Sequence, residues 1–384
     1  MKLEHNLYEM AAEDYHLMQQ SVVKISQHLA AKPEFNTPED ICSPDDFLAA
    51  THLLTQNGII NLEQQIACGL WEACATPQNL MLTLANLNQI ATANAALALH
   101  AHRTSLVAWL IRQLNTSSNV PLAHIDLTTT ALCLQGSYGI GRETLAQWWQ
   151  HQDLNSALAN SVFSNTHPRW ILCTKQATHC IFPLWQNDNI NWVYGRIHRT
   201  TPDTYNHGLN ELTYIQVTFD DIQPIAQTET QLLTQILWHY EWLGLLAIQL
   251  GITQKSYKIA SEYSHIRYQG GAIIAKHDAI KHMQNEIQQA MVSVWQFLNT
   301  QSLNNQAFYN LLLRRSALQE QLNQANHHAM QMMGGIGYMR DTGIEKCLRD
   351  ANQLRLQSGN AIDMQHLAEH WLLEPADIFQ WNFS

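Results

Sequence analysis

Basic residues are scarce. Only 21 Lys plus Arg stand against 32 Asp plus Glu, a formal charge of −11, and no block of basic residues interrupts the chain. That excludes an electrostatic grip on nucleic acid or on an anionic lipid surface, and leaves small-molecule chemistry or protein contact. The 7 cysteines are odd in number and scattered, and none falls in a CxxC spacing, so neither a disulfide framework nor a thiolate metal site is expected. The first residues, MKLEHNLYEMAAEDYH, hold acids among apolar residues and no apolar export core, and no run is long enough to span a bilayer. No internal repeat or low-complexity tract suggests a solenoid. The expectation is a soluble cytoplasmic protein without membrane insertion or nucleic-acid partner.

What is there is apolar bulk. At 384 residues and 46% hydrophobic composition, the chain has enough material for two or three domains. Residues 60 to 114 read as helices, with alanines that permit close packing. From about 120 the texture changes to short β-branched and aromatic segments, IDLTTTALCL, RWILCT, INWVYGRIHR and ELTYIQVTF, ending near FDDIQP at 219 to 224. Helical periodicity then returns over 229 to 268, 277 to 299 and 304 to 331, with breaks at QGGA and MMGGIGYM. The predicted fold is mainly α: an N-terminal helical domain (1–119), a middle β domain (120–225) and a C-terminal four-helix bundle (226–384).

Three local patterns need weighing. HLAEH at 366 to 370 matches a zinc-peptidase spacing, but no third ligand follows and a solvated helix is the plainer reading. GSYGIG at 136 to 141 lacks the strand, helix and acid of a dinucleotide fold, and reads as a turn after the first strand. In QILWHYEWLGLLAIQLGI, residues 235 to 252, Glu241 is the lone carboxylate. Gln235, His239 and Gln249 show polar positions on the same helix, so a solvent-facing acid is one reading. The other follows from Trp238, Trp242 and Leu245 around it: in a dry site desolvation raises the carboxyl pKa and makes a proton acceptor.

The most specific stretch is QMMGGIGYMRDTGIEKCLRDANQLRL, 331 to 356. Its Gln331, Gly334, Gly335, Gly337 and Tyr338, then Glu345, Arg349 and Asp350, resemble the Q-x-x-G-G-x-G-[YF] and E-x-x-x-R-D motifs of the acyl-CoA dehydrogenase family. YSHIRYQGGAIIAKHDAI (263 to 280) is similar to a second family segment, and there the resemblance gives Arg267 the FAD pyrophosphate. The domain order agrees as well.

The resemblance implies an FAD-dependent dehydrogenase that converts an acyl thioester, on coenzyme A or an acyl carrier protein, to the 2-enoyl product. An electron-transfer flavoprotein or similar acceptor would reoxidise the flavin. In most of the family the base follows the RD helix, where this chain has LQSGNA: Ser358 stands at the acid position, Gln357 at the aromatic one and Asn360 at the threonine. A minority, including enzymes like isovaleryl-CoA dehydrogenase, carry the glutamate on the first bundle helix, and gapless counting back from Arg267 gives Glu241 that position, with Trp242 replacing the usual arginine. Trp170 is left to cover the isoalloxazine, Leu172 replaces a threonine, and Asp278 a glutamine. FAD would be shared between Arg267 of one subunit and the Gln331–Gly334–Gly335 segment of a neighbour, implying a homodimer, a homotetramer or a heteromer. The departures at 135 to 141, 172 and 358 keep open a non-catalytic partner subunit and a flavin oxidase or monooxygenase on the same scaffold.

Overall fold

A computed structural model describes residues 12–31, 43–62, 69–72, 74, 76–117, 122, 124–134, 169–186, 189–200, 207–226, 231–359, 361 and 364–365. GSYGIG, HLAEH and Asn360 lie outside these.

Four helices come first: α1 (Ala12–Ala31), α2 (Pro44–Gln56), α3 (Pro77–Ala93) and α4 (Ala95–Ser117). α2 and α3 start alike, with Ser43 or Thr76 accepting the backbone N–H three residues on and a proline in the first turn. Residues 60 to 114 are therefore not helical throughout: the described part of 57 to 76 is turn, and α3 is cut from α4 without Pro or Gly. Asn94 makes the cut. It leaves the helix in an extended conformation, its side chain accepts the Leu97 N–H at 2.9 Å, and its amide donates to Glu211 at 2.8 Å. An Asn competes with helix through such local bonds.

Among the described residues the sheet has five strands, β1 (Thr130–Leu132), β2 (Arg169–Cys173), β3 (His179–Gln186), β4 (Asn189–Arg199) and β5 (Thr213–Ala226), in the order β1-β3-β4-β5-β2. β1 runs parallel to β3, and the other pairs are antiparallel. FDDIQP, near which the strand region was expected to end, is the last part of β5, which closes at Ala226. Register shifts opposite Trp192 to Arg196, with Asp221 at φ 50°, bulge the strand there. Pro224 fits because β2 pairs only with Thr213 to Val217, so the far side of β5 needs no donor at that point.

α5 (Gln231–Ile266), the hairpin β6–β7 (Tyr268–Gln269, Ala272–Ile273), α6 (Asp278–Asn299), α7 (Asn305–Met332) and α8 (Ile344–Leu354) complete the fold. α6 buries only Ile287, Val294, Phe297 and Leu298, the single stripe of an outer helix. α5 is buried on every side from 233 to 253, because α3 and α4 cover one flank and α7 and α8 the other. One hydrophobic core runs from Met18 through the sheet to Met364. The sheet is tied to the bundle by the RD pair. Asp350 accepts the Leu209 N–H at 2.7 Å and meets Lys346 at 2.8 Å, while Arg349 donates to the His207 carbonyl at 2.9 Å. A Cβ on Gly208 would overlap the Arg349 carbonyl, so the turn before β5 can lie flat on α8 only as glycine.

Candidate active site

Burial of α5 on all sides forces each polar residue on it to find an internal partner. Thr234 accepts from Trp192 Nε1, and Gln249 donates to the Gln319 carbonyl. Glu241, 0% exposed, is the demanding case, and the solvent-facing reading of it does not hold. Its Oε1 accepts from Ser358 Oγ at 2.6 Å and from Arg103 Nη2 and Nε at 2.8 and 3.2 Å. His102 Nε2 lies 2.9 Å from Oε2, in contact but off the axis of an ideal hydrogen bond. Gly244, one turn along α5, makes this possible, since a Cβ there would overlap the imidazole.

The next ring of residues fixes these groups. Trp71 Nε1 donates to His102 Nδ1 at 3.1 Å; an indole N–H can only donate, so the His102 proton sits on Nε2, toward the carboxylate. Trp242 Nε1 donates to the Ser358 carbonyl at 2.8 Å, and Arg315, buried with its guanidinium near the Trp242 ring, donates to the Gln357 carbonyl at 2.9 Å. Ser358 is thereby held at φ 56°. Adjacent residues of α5 thus grip one serine, Glu241 by its hydroxyl and Trp242 by its carbonyl.

Burial alone would raise the Glu241 pKa. Here Arg103 beside it, then His102, and the hydrogen bonds from His102 and Ser358, outweigh burial and hold the carboxyl far below the ordinary carboxylate range. The dry-site argument therefore gets the direction wrong, because the site is dry yet paired.

Arg103 separates this cluster from open space. Its side chain, 12% exposed, lines a cavity of about 30 Å³ with Thr130, Leu132 and Leu172. Four residues of that lining, His100, Thr104, Thr128 and Thr174, also line a cavity of about 360 Å³ between α2 and the sheet. His100, half-buried on the walls of both cavities, has its pKa lowered to about 4 by desolvation.

Trp170 lies half-buried on the same face of β2 as Leu172, stacked on Tyr214 with ring centroids 4.9 Å apart. Arg267 and Gln331 emerge at one end of the bundle, where Tyr263 of α5 packs with Met330 and Met333 of α7. Both side chains are exposed, and a Cβ at Gly334 or Gly335 would meet nothing within 4 Å. An unclaimed guanidinium, a primary amide and bare backbone suit the phosphates of a nucleotide cofactor such as FAD. Asp278, exposed, meets Lys281 at 3.0 Å. Sequence reasoning missed His102, Arg103, Trp71 and Arg315; the local signal was the adjacent His102 and Arg103 in the largely apolar α4. Among the described residues no group of three or more His, Cys, Asp or Glu is placed to hold a metal, and no helix is long and apolar enough to cross a membrane.

Residues 235–371 match the family profile described as "Acyl-CoA dehydrogenase, C-terminal domain". The 3-sulfinopropanoyl-CoA desulfinase of Paraburkholderia xenovorans (strain LB400) is 23% identical over 167 residues, 40% of this chain and 43% of that protein, so the match spans less than half of the curated relative. Among solved structures, butyryl-CoA dehydrogenase from Megasphaera elsdenii superposes with a TM-score of 0.66 at 14% identity, over 93% of this chain and 98% of that one. The prolyl acyl carrier protein oxidase AnaB gives 0.68 at 12%, over 94% and 99%. At these identities the likeness is one of fold.

Proposed function

With an acyl-CoA dehydrogenase C-terminal domain and the fold of that family along nearly its whole length, this chain is a flavin-dependent oxidoreductase, we propose, that removes hydrogen from the α,β carbons of an acyl thioester. The observation that carries this reading is the 2.6 Å contact between Ser358 Oγ and Glu241. The resemblance makes Ser358 the successor of the family's usual acid, and Glu241, the buried carboxylate of α5, lies in hydrogen-bond contact with it. The acid has moved in sequence while staying in the same place in space.

Glu241 accepts the α-proton of the substrate, and Ser358 and His102 orient its two oxygens. FAD, when bound, supplies the two-electron acceptor for the β-hydrogen. Arg267 would hold its pyrophosphate, with Gln331, Gly334 and Gly335 supplied by a neighbouring subunit, and Trp170 would cover the ring; Asn360, outside the described residues, is kept as a cofactor-binding candidate from the resemblance alone. Exposed apolar residues beside these groups, Ile266 at 79% and Tyr338 at 61%, support burial against a second copy. The thioester is carried on coenzyme A, as the names of the desulfinase and the butyryl enzyme suggest, or on a carrier protein, as that of the prolyl oxidase suggests. An electron-transfer flavoprotein or similar carrier takes the electrons.

Arg103 favours a second reading. A carboxylate sealed behind a guanidinium and held ionised is a weak base, and a chain that uses Glu241 only as an anchor would serve as a partner subunit or as a flavin oxidase. Anaerobic titration of wild type and Glu241→Gln with acyl-CoA and acyl carrier protein thioesters separates the two. Flavin bleaching in the wild type, with binding but no bleaching in the variant, supports the base. Equal behaviour of the two proteins sinks it.

A further inference from the structure

Trp71 has a backbone that its residue type does not favour. It sits at φ 77°, in the left-handed region that a bulky side chain rarely enters, and such a conformation persists only where its surroundings dictate it. The residues on either side supply that constraint. Leu70 donates to the Ile59 carbonyl at 3.1 Å, and Glu72 pairs with Arg112 of α4. The indole, 0% exposed, stacks on Tyr240 of α5 with ring centroids 4.7 Å apart, and its N–H meets His102 Nδ1 at 3.1 Å. The strained backbone serves to aim one N–H at one nitrogen.

His102 is thereby held at Nδ1 by the indole and along its ring by the α5 backbone at Gly244. A ring so held cannot turn onto Glu241. Nε2 stops 2.9 Å from Oε2, yet neither atom has an aligned hydrogen-bond partner among the described residues. The two carboxylate oxygens are therefore unlike. Oε1 takes three donors, Ser358 Oγ at 2.6 Å and Arg103 Nη2 and Nε at 2.8 and 3.2 Å, while Oε2 keeps a lone pair with which nothing lines up. A desolvated oxygen short of a donor is costly to maintain, and it is the one left to take a proton. A straight bond from Nε2–H would be charge-assisted and would weaken the base.

We propose that Trp71 is a positioning residue of the reaction: it holds His102 off the axis of Oε2, so that this oxygen, and not Oε1, receives the α-proton of the thioester. The proposal deepens the dehydrogenase reading and rests on it, but its first measurement needs no turnover. In the full chain labelled with ¹⁵N-histidine, with His102→Gln to identify the His102 signals, the wild type is expected to show a protonated Nε2 and a bare Nδ1. Trp71→Phe keeps a ring on Tyr240 and removes the N–H, and its Nε2 proton is expected to move downfield as the imidazole swings onto Oε2.

The second measurement is anaerobic stopped-flow reduction of the flavin, with butyryl-CoA first and then the other thioesters of the titration. Trp71→Phe is expected to react about tenfold more slowly at unchanged substrate affinity, with a larger isotope effect for substrate deuterated at the α carbon. Because Trp71 acts through His102, the double variant Trp71→Phe/His102→Gln is expected to be no slower than His102→Gln alone. Trp71→Tyr, which also lacks the indole N–H, serves if the Phe variant does not fold. A hydrogen on Nδ1 in the wild type, an Nε2 signal left in place by Trp71→Phe, an unchanged rate, or losses that add in the double variant each overturns the proposal. A wild type that shows the expected signals but bleaches with no thioester overturns the dehydrogenase reading and the proton step with it, and leaves only the lock on His102.

Discussion

Acid should loosen this fold well before its carboxylates titrate. His100 and His239 are both held neutral by burial, with pKa values lowered from 6.5 to about 4 and about 3. In the unfolded chain both protonate near 6.5, so between that pH and their folded values the unfolded state binds two protons that the native state refuses. Stability therefore falls with falling pH, at about 1.4 kcal/mol per pH unit for each histidine. Between pH 7 and about pH 5 the loss is roughly 4 kcal/mol, a large share of the 5–15 kcal/mol typical of a domain. Below about pH 4 Glu241 adds to it in the same direction, because its folded pKa is depressed and its contribution disappears as it protonates. Urea unfolding at a series of pH values measures the slope, and His239→Leu should reduce it by about one proton's worth. A flat profile between pH 7 and 5, or an unchanged slope in the variant, would refute the assignment of neutral buried imidazoles.

Two further predictions concern close approaches. Gly244→Ala gains about 1 kcal/mol of helix propensity, yet its methyl group overlaps the His102 ring, which Trp71 and Glu241 hold in place. A net loss of about 1–2 kcal/mol is expected in thermal unfolding, and a stabilised variant would show the imidazole free to move. Asp350→Ala removes the acceptor of the Leu209 N–H and one of the two carboxylates that meet Lys346, at a cost of about 3 kcal/mol in urea unfolding, and Asp350→Asn should recover part of it by still accepting from Leu209. Equal losses in the two variants would show that charge alone matters at this joint.

The long helices were legible because their signals are local. α5, α6 and α7 end within a few residues of the expected limits, at QGGA and MMGGIGYM, where glycines interrupt an unbroken apolar period. The break at Asn94 was hidden, because a single Asn within an apolar period is a weak signal for the local bond it makes to Leu97, and its amide is held by Glu211, 117 residues away. The strand region was legible to its end as well, since β5 closes at Ala226, two residues past FDDIQP, and what the sequence hid was the bulge that absorbs Asp221. The site divides in the same way. Glu241 stood out as a lone acid in an apolar helix, while its direction of titration depended on His102 and Arg103, and pairing between distant helices leaves no periodic trace in either one. The resemblance supplied Arg267 and the Gln331 segment, whose exposed and open placement fits a shared cofactor but leaves that role to experiment.

The contact between Ser358 and Glu241 also limits the order in which such a site can have arisen. At 2.6 Å there is room for a hydroxyl and a carboxylate but not for two ionised acids, and the left-handed backbone at 358, held at its carbonyl by Trp242 and Arg315, cannot back away. An ancestor bearing acids at both positions would have had to share one proton between them or rely on Arg103 to neutralise the second. If the base migrated from the turn after α8 to α5, the arginine came before the second glutamate or the first acid was already gone. Ancestral chains along that route should show Arg103 in every sequence that carries both acids.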